Sequence, residues 1–267
     1  MTKAIFFDID GTVLDKQHGI SDLTPRVKSA MKKLQSQGYK IFIATGRPYH
    51  FMPENILNFG FEGFVMCNGA LIMLDGKIFF KSELDPQAVK KMCDFAESEN
   101  IEYMLESYPD AYCKKNFTAC EDFLKKIEVD SSKFIRDFDI EKISVAKLEF
   151  LSARKDLEQL NIAYKKILST PGFTGWADPF HFKTMEVYSS EVSKATGILK
   201  VLKHLNIDVK NSYAFGDGHN DVEMIQTVGT GFVMATAADE VKKFAAHVVP
   251  SVHEDGVAVG IEKYILQ

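Results

Sequence analysis

Short apolar runs alternate with amphipathic stretches near the start of this chain, and this alternation restricts the possible folds more than any other feature. Residues 4–9, Ile41–Ala44 and Phe64–Cys67 are largely apolar, which is typical of short strands buried on both faces. Between the first two runs, Thr24-Pro25 predicts the start of a helix that ends at Gly38. Buried strands separated by helices predict a parallel sheet with helices on both faces.

The same alternation returns in the last third of the chain. Residues 194–206 have a helical pattern, and Ser212–Phe215 and Gly231–Met234 have the composition of buried strands. The two ends of the chain therefore predict one α/β core, a Rossmann-like doubly wound parallel sheet.

The middle of the chain has a different pattern. Asp85-Pro86 predicts a helix start, and the following segments mix strands and helices as in an α+β domain with an antiparallel sheet. We therefore predict a core formed by residues 1–83 and 188–267, with residues 84–187 inserted as a second domain. The predicted elements of the insertion are strands near 101–106, 111–114, 143–150 and 181–189 and helices near 117–126 and 153–167.

Composition and charge argue against two classes of function. The chain has 267 residues, 46% of them hydrophobic, and a formal net charge of −5, whereas binding to nucleic-acid phosphates needs clustered Lys and Arg. No apolar run approaches the ~18 residues of a membrane span, and no signal-peptide pattern precedes the first strand. We expect a cytoplasmic protein without a nucleic-acid or membrane partner. Its four cysteines are expected to be free thiols.

Two aspartates, Asp8 and Asp10, lie at the end of the first apolar run. Side chains two residues apart on a strand point to the same side, so the two carboxylates are expected to converge. Two like charges at close range are costly unless a cation lies between them or one carboxylate holds a proton. Gly11 then allows the chain to turn away from the strand end. The pair therefore suggests the site of a metal-assisted reaction.

Other apolar runs also end in polar groups. The second is followed by Thr45-Gly46-Arg47, and the strand at 212–215 is followed by Gly216–Asp221, while Lys194 opens a helix just after the insertion. Ligands of parallel α/β sheets bind beyond the carboxyl ends of the strands. These groups are therefore expected to meet at one edge of the sheet.

Each of these groups also has an ordinary structural interpretation. Asp217 or Asn220 alone would be a helix cap, Thr45-Gly46 a strand-to-helix turn, and Lys194 a solvated helix residue. The combination favours function, because the four carboxylates of Asp8, Asp10, Asp217 and Asp221 would repel one another without a cation. Mg²⁺ prefers such oxygen ligands, and a hydroxyl with backbone N–H groups at a helix start suits an anion.

These groups, in this order, resemble the motifs of the haloacid dehalogenase-like (HAD) phosphatase superfamily. The resemblance covers the whole chain. The motifs Asp8-Ile9-Asp10-Gly11-Thr12-Val13 and Gly216–Asp221 are highly specific, whereas Thr45 and Lys194 are weak signals that follow in the expected order. The insertion and the sequence Cys67-Asn68-Gly69-Ala70 are similar to the Cof-type subfamily, whose type IIB cap domain covers the site and which hydrolyses small phosphorylated metabolites. Ala195-Thr196 departs from the subfamily, which often carries Gly there.

The resemblance implies a role for each residue. Asp8 would be the nucleophile that forms an aspartyl-phosphate, and Asp10 the general acid and then the base. Magnesium would be held by the Asp8 carboxylate, the Asp10 backbone carbonyl and Asp217, with Asp221 supporting the metal or its waters. Phosphate and substrate contacts would come from the following residues: Thr45, Gly46, Arg47, Asn68, Lys194 and Asn220.

Several alternatives stay open from the sequence. A phosphomutase would use the same aspartyl-phosphate, and a non-catalytic binding protein on the same fold would usually have lost a carboxylate. Sugar phosphates, flavin mononucleotide and pyridoxal phosphate are all possible substrates, and the protein is expected to be a monomer or homodimer. The stretch 172–182, which contains the single Trp and His181, is a candidate rim for substrate, although Trp176 is more often a core residue in such a pattern.

Overall fold

The chain folds into two compact units. The structure is a computed structural model that describes residues 2–152, 157–178 and 184–266. The core unit comprises Met1–Gly46, Met52–Phe80 and Ser193–Gln267, and the second unit comprises Arg47–Phe51 and Lys81–Val192. The second unit thus includes a short segment, 47–51, that the sequence pattern assigns to the core.

The strands and helices alternate along most of the chain. The strands are β1 (Ala4–Phe7), β2 (Lys40–Ala44), β3 (Gly63–Met66), β4 (Leu71–Leu74), β5 (Lys77–Lys81), β6 (Ile101–Glu106), β7 (Ala111–Cys113), β8 (Lys147–Ser152), β9 (Phe173–Asp178), β10 (Thr184–Ser189), β11 (Ser212–Gly216), β12 (Thr230–Met234) and β13 (His247–Val249). The α-helices are α1 (Pro25–Ser36), α2 (Glu54–Leu57), α3 (Pro86–Ser98), α4 (Thr118–Lys126), α5 (Leu157–Leu168), α6 (Lys194–His204), α7 (Val222–Thr227), α8 (Asp239–Lys242) and α9 (Gly256–Tyr264).

The core unit is built on a parallel sheet, as predicted. Its strand order is β13-β12-β11-β1-β2-β3-β4-β5, and the strands from β13 to β3 pair in parallel. Strands β2 and β3 are added on one side of β1, and strands β11 to β13 on the other. α/β sheets bind ligands at the point where the strand order switches in this way. The predicted doubly wound α/β fold with an additional α+β part is confirmed.

The first strand is shorter than its apolar run. It ends at Phe7, and the carbonyl of Ile9 accepts hydrogen bonds from the backbone N–H groups of Val13 and Leu14 at 3.0 and 2.9 Å. A tight turn therefore replaces the predicted strand at residues 8–9, and Asp8 and Asp10 do not lie two apart on a strand.

The dipeptide Asp75-Gly76 predicts the turn of a β-hairpin after β3, and the hairpin forms there. Asp75 and Gly76 have φ values of +49° and +72°, the left-handed pair that joins β4 to β5 in a tight two-residue loop. By contrast, the turn at Gly46-Arg47-Pro48 predicts a helix that ends near Gly60, and this prediction is wrong. The structure has a 3-10 turn at Tyr49–Phe51 and a single α-helical turn, α2, because Pro53 interrupts the pattern.

The second unit has its own sheet, of order β7-β6-β8-β10-β9, and its pairings are antiparallel. Tyr103, Leu105, Leu148 and Phe150 belong to an apolar cluster within this unit. The candidate rim at 172–182 forms, in its first part, the edge strand β9, where Trp176 is 47% exposed and is not a core residue. Residues 179–182, including His181, lie outside the described residues.

All four cysteines are buried free thiols. Within residues 2–152, 157–178 and 184–266, none of the helices has the length and apolar character that crossing a membrane requires.

Candidate active site

Three neighbouring parallel strands deliver the first polar groups of the site. β1 pairs with β2 on one side and β11 on the other, with Phe7 opposite Ile43 and Phe215. The backbone N–H of Asp8 donates to the carbonyl of Phe215 at 3.0 Å, which extends the parallel pairing by one step. Asp8, Thr45 and Asp217 therefore leave the carboxyl ends of adjacent strands, as the sequence pattern predicts.

Three carboxylates converge beyond these strand ends. Oxygen atoms of Asp8, Asp217 and Asp221 all lie within 4.8 Å of one another. Asp8 and Asp221 are buried, with Asp221 fully so. This spacing matches a group of hard oxygen ligands around a divalent cation.

Lys194 supplies a positive charge to this cluster. Its Nζ lies 2.8 Å from Oδ1 of Asp8 and 2.6 Å from Oδ1 of Asp221, and its side chain is fully buried. The lysine is the first residue of α6, which Ser193 and Thr196 begin with a reciprocal capping box. A buried ammonium with two carboxylate partners is fixed in position, so Lys194 holds this part of the cluster together.

Asp221 acts as a support for the turn that carries Asp217. Its Oδ2 accepts the backbone N–H groups of Asp217 and Gly218, both at 2.9 Å, while its Oδ1 accepts from Lys194. Both oxygens are thus engaged by the protein. This arrangement favours a positioning role for Asp221 over direct metal ligation.

Two further residues of the first motif lie against Asp217, although the sequence pattern gives Gly11 only a turn and Thr12 no role. The Thr12 hydroxyl donates to Oδ1 of Asp217 at 2.8 Å. A Cβ placed on Gly11 would lie 2.1 Å from Oδ2 of Asp217, and Gly11 has φ of +75°. Only glycine therefore lets the loop after Asp10 pass this carboxylate. The sequence signal for these two contacts with Asp217 was the pair Gly11-Thr12 within the first motif.

Two asparagine side chains lie beside Gly46. A Cβ on Gly46 would come within 3.1 Å of Oδ1 of Asn68, which accepts from Nδ2 of Asn220 at 3.1 Å. Thr45 is buried, and its carbonyl accepts the backbone N–H of Asn68 at 3.1 Å. The structure therefore brings Thr45, Gly46, Asn68 and Asn220 together, as expected of phosphate or substrate contacts.

Two predicted site residues are placed differently. Asp10 is exposed and is not part of the three-carboxylate group, because it lies in the turn beyond β1. Arg47 belongs to the second unit, where its Nη1 donates to the carbonyl of Phe51 at 2.7 Å.

Burial and mutual repulsion shape the ionisation of these carboxylates. Burial, together with the charge of Asp221, raises the pKa of Asp8 well above its ordinary value despite the opposing effect of Lys194. Burial and the charge of Asp221 also raise the pKa of Asp217 to about 7. Burial by itself would lower the pKa of Lys194, but the charges of Asp221 and Asp8 raise it above that of an ordinary lysine. The cluster carries excess negative charge that a cation would relieve.

The chain matches one family of known proteins along almost its whole length. Residues 5–261 fit the family model described as haloacid dehalogenase-like hydrolase. The chain belongs to the haloacid dehalogenase-like hydrolase family. This match and the phosphatase relatives described next confirm the Cof-type assignment and the enzyme class, a phosphatase of this family. Phosphatases of the family generally use a divalent metal.

Individual relatives extend over the whole chain. The protein named "Putative phosphatase YkrA" of Bacillus subtilis is 29% identical over 270 residues, which cover 98% of this chain and 97% of the relative. The 5-amino-6-(5-phospho-D-ribitylamino)uracil phosphatase YitU of Bacillus subtilis is 27% identical over 278 residues, with 97% and 96% covered. A crystal structure of a hypothetical protein from Geobacillus kaustophilus has a TM-score of 0.84 at 27% identity and covers 98% of each chain.

Proposed function

We propose that this HAD-family phosphatase hydrolyses small phosphorylated metabolites with Mg²⁺ through an aspartyl-phosphate on Asp8. One observation carries the proposal. The Asp8 carboxylate is buried at a strand end, 2.8 Å from the Lys194 ammonium and grouped with the Asp217 carboxylate. That setting gives the nucleophile a fixed position and a neighbouring site for a cation. Phosphoryl transfer depends mainly on such positioning and charge neutralisation.

In the first step, an oxygen of ionised Asp8 attacks phosphorus, and the bond from phosphorus to the substrate oxygen breaks. Asp10 donates a proton to the departing alkoxide. In the second step, Asp10 removes a proton from water, which attacks phosphorus and releases phosphate from Asp8. The exposure of Asp10, in contrast to buried Asp8, allows it to exchange protons with solvent between the steps.

The residues present suit magnesium. The Asp8 carboxylate, the Asp10 carbonyl and Asp217 would hold the ion, while Thr12 and Asp221 keep Asp217 in place. Oxygen-only donors with room for water are what Mg²⁺ prefers. When bound, the ion would neutralise charge on the phosphoryl oxygens.

The remaining phosphate contacts follow from the strand and helix ends. The Thr45 hydroxyl, the Gly46 N–H and the Lys194 ammonium would bind phosphate oxygens, and Lys194 also balances the charge of Asp8. Asn68 and Asn220 would contact the phosphate or the adjoining part of the substrate. Arg47, which lies in the second unit and donates to the Phe51 carbonyl, would contact the substrate.

We further propose that the inserted domain is a cap that selects the organic part of the substrate. The boundaries predicted from the sequence, 84–187, fall within the compact unit at 81–192. One relative is named for a phosphorylated ribitylaminouracil, a compound with a polyol chain next to a heterocycle. Sugar phosphates, flavin mononucleotide and pyridoxal phosphate therefore form the first substrate panel.

The test compares hydrolysis of a generic aryl phosphate by the wild type and by Asp8→Asn. We expect the variant to fold and to lose turnover by about a thousandfold or more, since removing a nucleophile removes the covalent route. Asp75→Asn is the matched control, because Asp75 lies in the β4–β5 turn with φ of +49°, a conformation that Asn accepts. Full turnover in Asp8→Asn, or in wild type stripped of divalent ions, would contradict the proposal.

A further inference from the structure

A second cluster of metal-compatible side chains lies away from the strand-end carboxylates. Nδ1 of His18 is 2.9 Å from both carboxylate oxygens of Asp15, and Nε2 of His253 is 3.2 Å from Oδ2 of the same residue. One nitrogen from each ring and one carboxylate oxygen lie within 4.8 Å of one another. Both ring nitrogens thus face the Asp15 carboxylate, and the three donor atoms lie close enough together to share one ion.

The backbone holds these donors in place. Asp15 precedes the 3-10 turn Lys16–His18, and its carboxylate accepts the backbone N–H of His18 at 3.3 Å. His253 lies in the 3-10 turn Val252–Glu254, where Ser251 and Glu254 form their own capping box. Glu254 is therefore already engaged, and the His253 ring is left to face Asp15.

The two segments are also joined by contacts that do not involve the cluster. The Thr24 hydroxyl donates to Oδ1 of Asp255 at 2.5 Å, and Arg26 pairs with Glu262 at 2.7 Å between α1 and α9. These contacts fix the turn that carries His253 next to the loop that carries Asp15 and His18. The donor atoms are therefore brought together before any ligand binds, which lowers the entropic cost of binding.

The donor set suits a different metal from the first cluster. Two imidazole nitrogens and one carboxylate oxygen are typical zinc ligands, whereas Mg²⁺ prefers oxygen alone. Tetrahedral zinc with bonds near 2.0–2.1 Å separates its ligand atoms by roughly 3.3 Å. The nitrogen-to-oxygen distances of 2.9 and 3.2 Å are close to that separation.

We propose that Asp15, His18 and His253 form a second metal site that binds Zn²⁺ or a similar borderline transition-metal ion, with water in the fourth position. Each histidine ligates through the nitrogen that faces Asp15, in its neutral form, and its other ring nitrogen carries the proton. The site fastens the loop that follows Asp10 to the segment that precedes α9. Its role is structural, and it is separate from the magnesium chemistry proposed above.

The competing interpretation is a hydrogen-bonded cluster without metal. The Asp15 carboxylate would then accept one ring N–H from each histidine, and the same distances would result. His18 and His253 have side chains 71% and 48% exposed, so either ring can be changed with little effect on packing. Zinc binding itself is therefore the measurement that separates the two interpretations.

The experiment titrates Zn²⁺ into metal-stripped full-length protein by calorimetry, with excess Mg²⁺ present to occupy the strand-end carboxylates. We compare the wild type with His18→Ala and His253→Ala, using His204→Ala, an exposed histidine in the last turn of α6, as the matched control. Wild type and control should bind one Zn²⁺ that each cluster variant binds about tenfold or more weakly. Zinc should also raise the melting temperature of wild type and control above its effect on the variants.

Co²⁺ provides an independent measurement, because its visible absorption reports nitrogen ligation in a low-coordinate site. The absorption should appear in wild type and His204→Ala and be lost in both cluster variants. Equal Zn²⁺ affinity and equal thermal shifts in all four proteins would overturn the proposal and leave the hydrogen-bonded cluster.

Discussion

At the scale of single residues, Lys194 links two buried carboxylates of the candidate site. It contacts Asp8 and Asp221 at 2.8 and 2.6 Å in a fully buried setting. We expect Lys194→Met to lower the free energy of unfolding of the metal-free protein by about 3–5 kcal/mol, because two buried carboxylates lose their counter-charge. Urea unfolding measures this change. Lys203→Met, at an exposed position of the same helix, should change stability little, and equal losses in both variants would show that the ion pairs contribute nothing.

Asp217 links stability to pH and to the metal. Its pKa is raised from 3.8 to about 7, so the folded state favours the protonated form, and this preference costs stability as pH rises from about 4 to 7. We expect Asp217→Asn to be more stable than the metal-free wild type at pH 8, by on the order of 1 kcal/mol, and nearly equal to it at pH 4. The amide oxygen can still accept from Thr12.

Adding Mg²⁺ should reverse this order at pH 8. The wild type then gains stability by binding the ion, and Asp217→Asn gains little. Thermal unfolding at pH 4, 6 and 8, with and without Mg²⁺, measures both effects. A stability difference between variant and wild type that does not change with pH would contradict the raised pKa.

The sequence predicted individual residues well where a strand end determines their position. Asp8, Thr45 and Asp217 could be placed because carboxyl ends of parallel strands share one sheet edge. The strand geometry from which the Asp8 and Asp10 carboxylates were expected to converge does not form, since a turn stabilised by the Ile9 carbonyl replaces it and Asp10 lies outside the carboxylate group. The contact between Thr12 and Asp217 joins residues 205 positions apart, so no local sequence pattern predicts it.

At the scale of secondary-structure elements, the turn at Cys67–Gly69 positions the start of α6. Cys67, Asn68 and Gly69 all have positive φ, and a Cβ on Gly69 would lie 2.2 Å from the carbonyl oxygen of Ser193. We expect Gly69→Ala to destabilise the protein by about 2–3 kcal/mol, from left-handed strain and the clash together. Because Ser193 caps α6, the variant should also shift Lys194 and lower kcat.

Gly76→Ala is the control that introduces left-handed backbone strain without a steric clash. Gly76 has φ of +72°, and no atom lies within 4 Å of the position that an added Cβ would occupy, so this variant should cost only about 1–2 kcal/mol and leave kcat unchanged. Urea unfolding and steady-state kinetics are measured on both variants. If Gly69→Ala matched Gly76→Ala in both, the close approach to Ser193 would have no energetic role.

Elements with clear boundary signals were predicted accurately. Thr24-Pro25 and Asp85-Pro86 begin α1 and α3 as expected, each with a side-chain cap and Pro at the first position. Of the departure Ala195-Thr196 from the subfamily pattern, Thr196 is explained by the capping box with Ser193. The strand β9 was missed because Gly172-Phe173-Thr174-Gly175 carries two glycines, which local propensity assigns to a loop, while pairing with β10 stabilises a strand there.

The division of the whole molecule into two units could be predicted only in outline. The change from parallel to antiparallel strand patterns located the insertion, but 47–51 joins the second unit through contacts that appear only after folding. The rings of Tyr49 and Tyr108 meet at 4.9 Å, and that of Phe51 lies 6.3 Å from Phe134. Such aromatic contacts connect residues far apart in sequence, so local helix and strand signals cannot place this segment.

The second unit buries a charged cluster of its own on its antiparallel sheet. Nζ of Lys147 lies 3.1, 3.3 and 2.9 Å from carboxylate oxygens of Glu106, Glu149 and Glu186. Burial raises the pKa of Glu106 well above its ordinary value, although Lys147 opposes the shift, and burial likewise raises the pKa of Glu149. One ammonium therefore lies among three carboxyl groups.

We expect Lys147→Met to lower the free energy of unfolding by about 3–5 kcal/mol, because the carboxyl groups of the cluster lose their only buried ammonium partner among the described contacts. Hydrogen exchange should show the loss mainly in β6, β8 and β10, which carry the cluster, with little change in β1, β2 and β11. Lys142→Met, at a position with an 80% exposed side chain, is the control and should leave exchange unchanged. Faster exchange spread equally over both sheets of Lys147→Met would mean that the two units unfold as one cooperative body and that the effect of the cluster is not confined to the second.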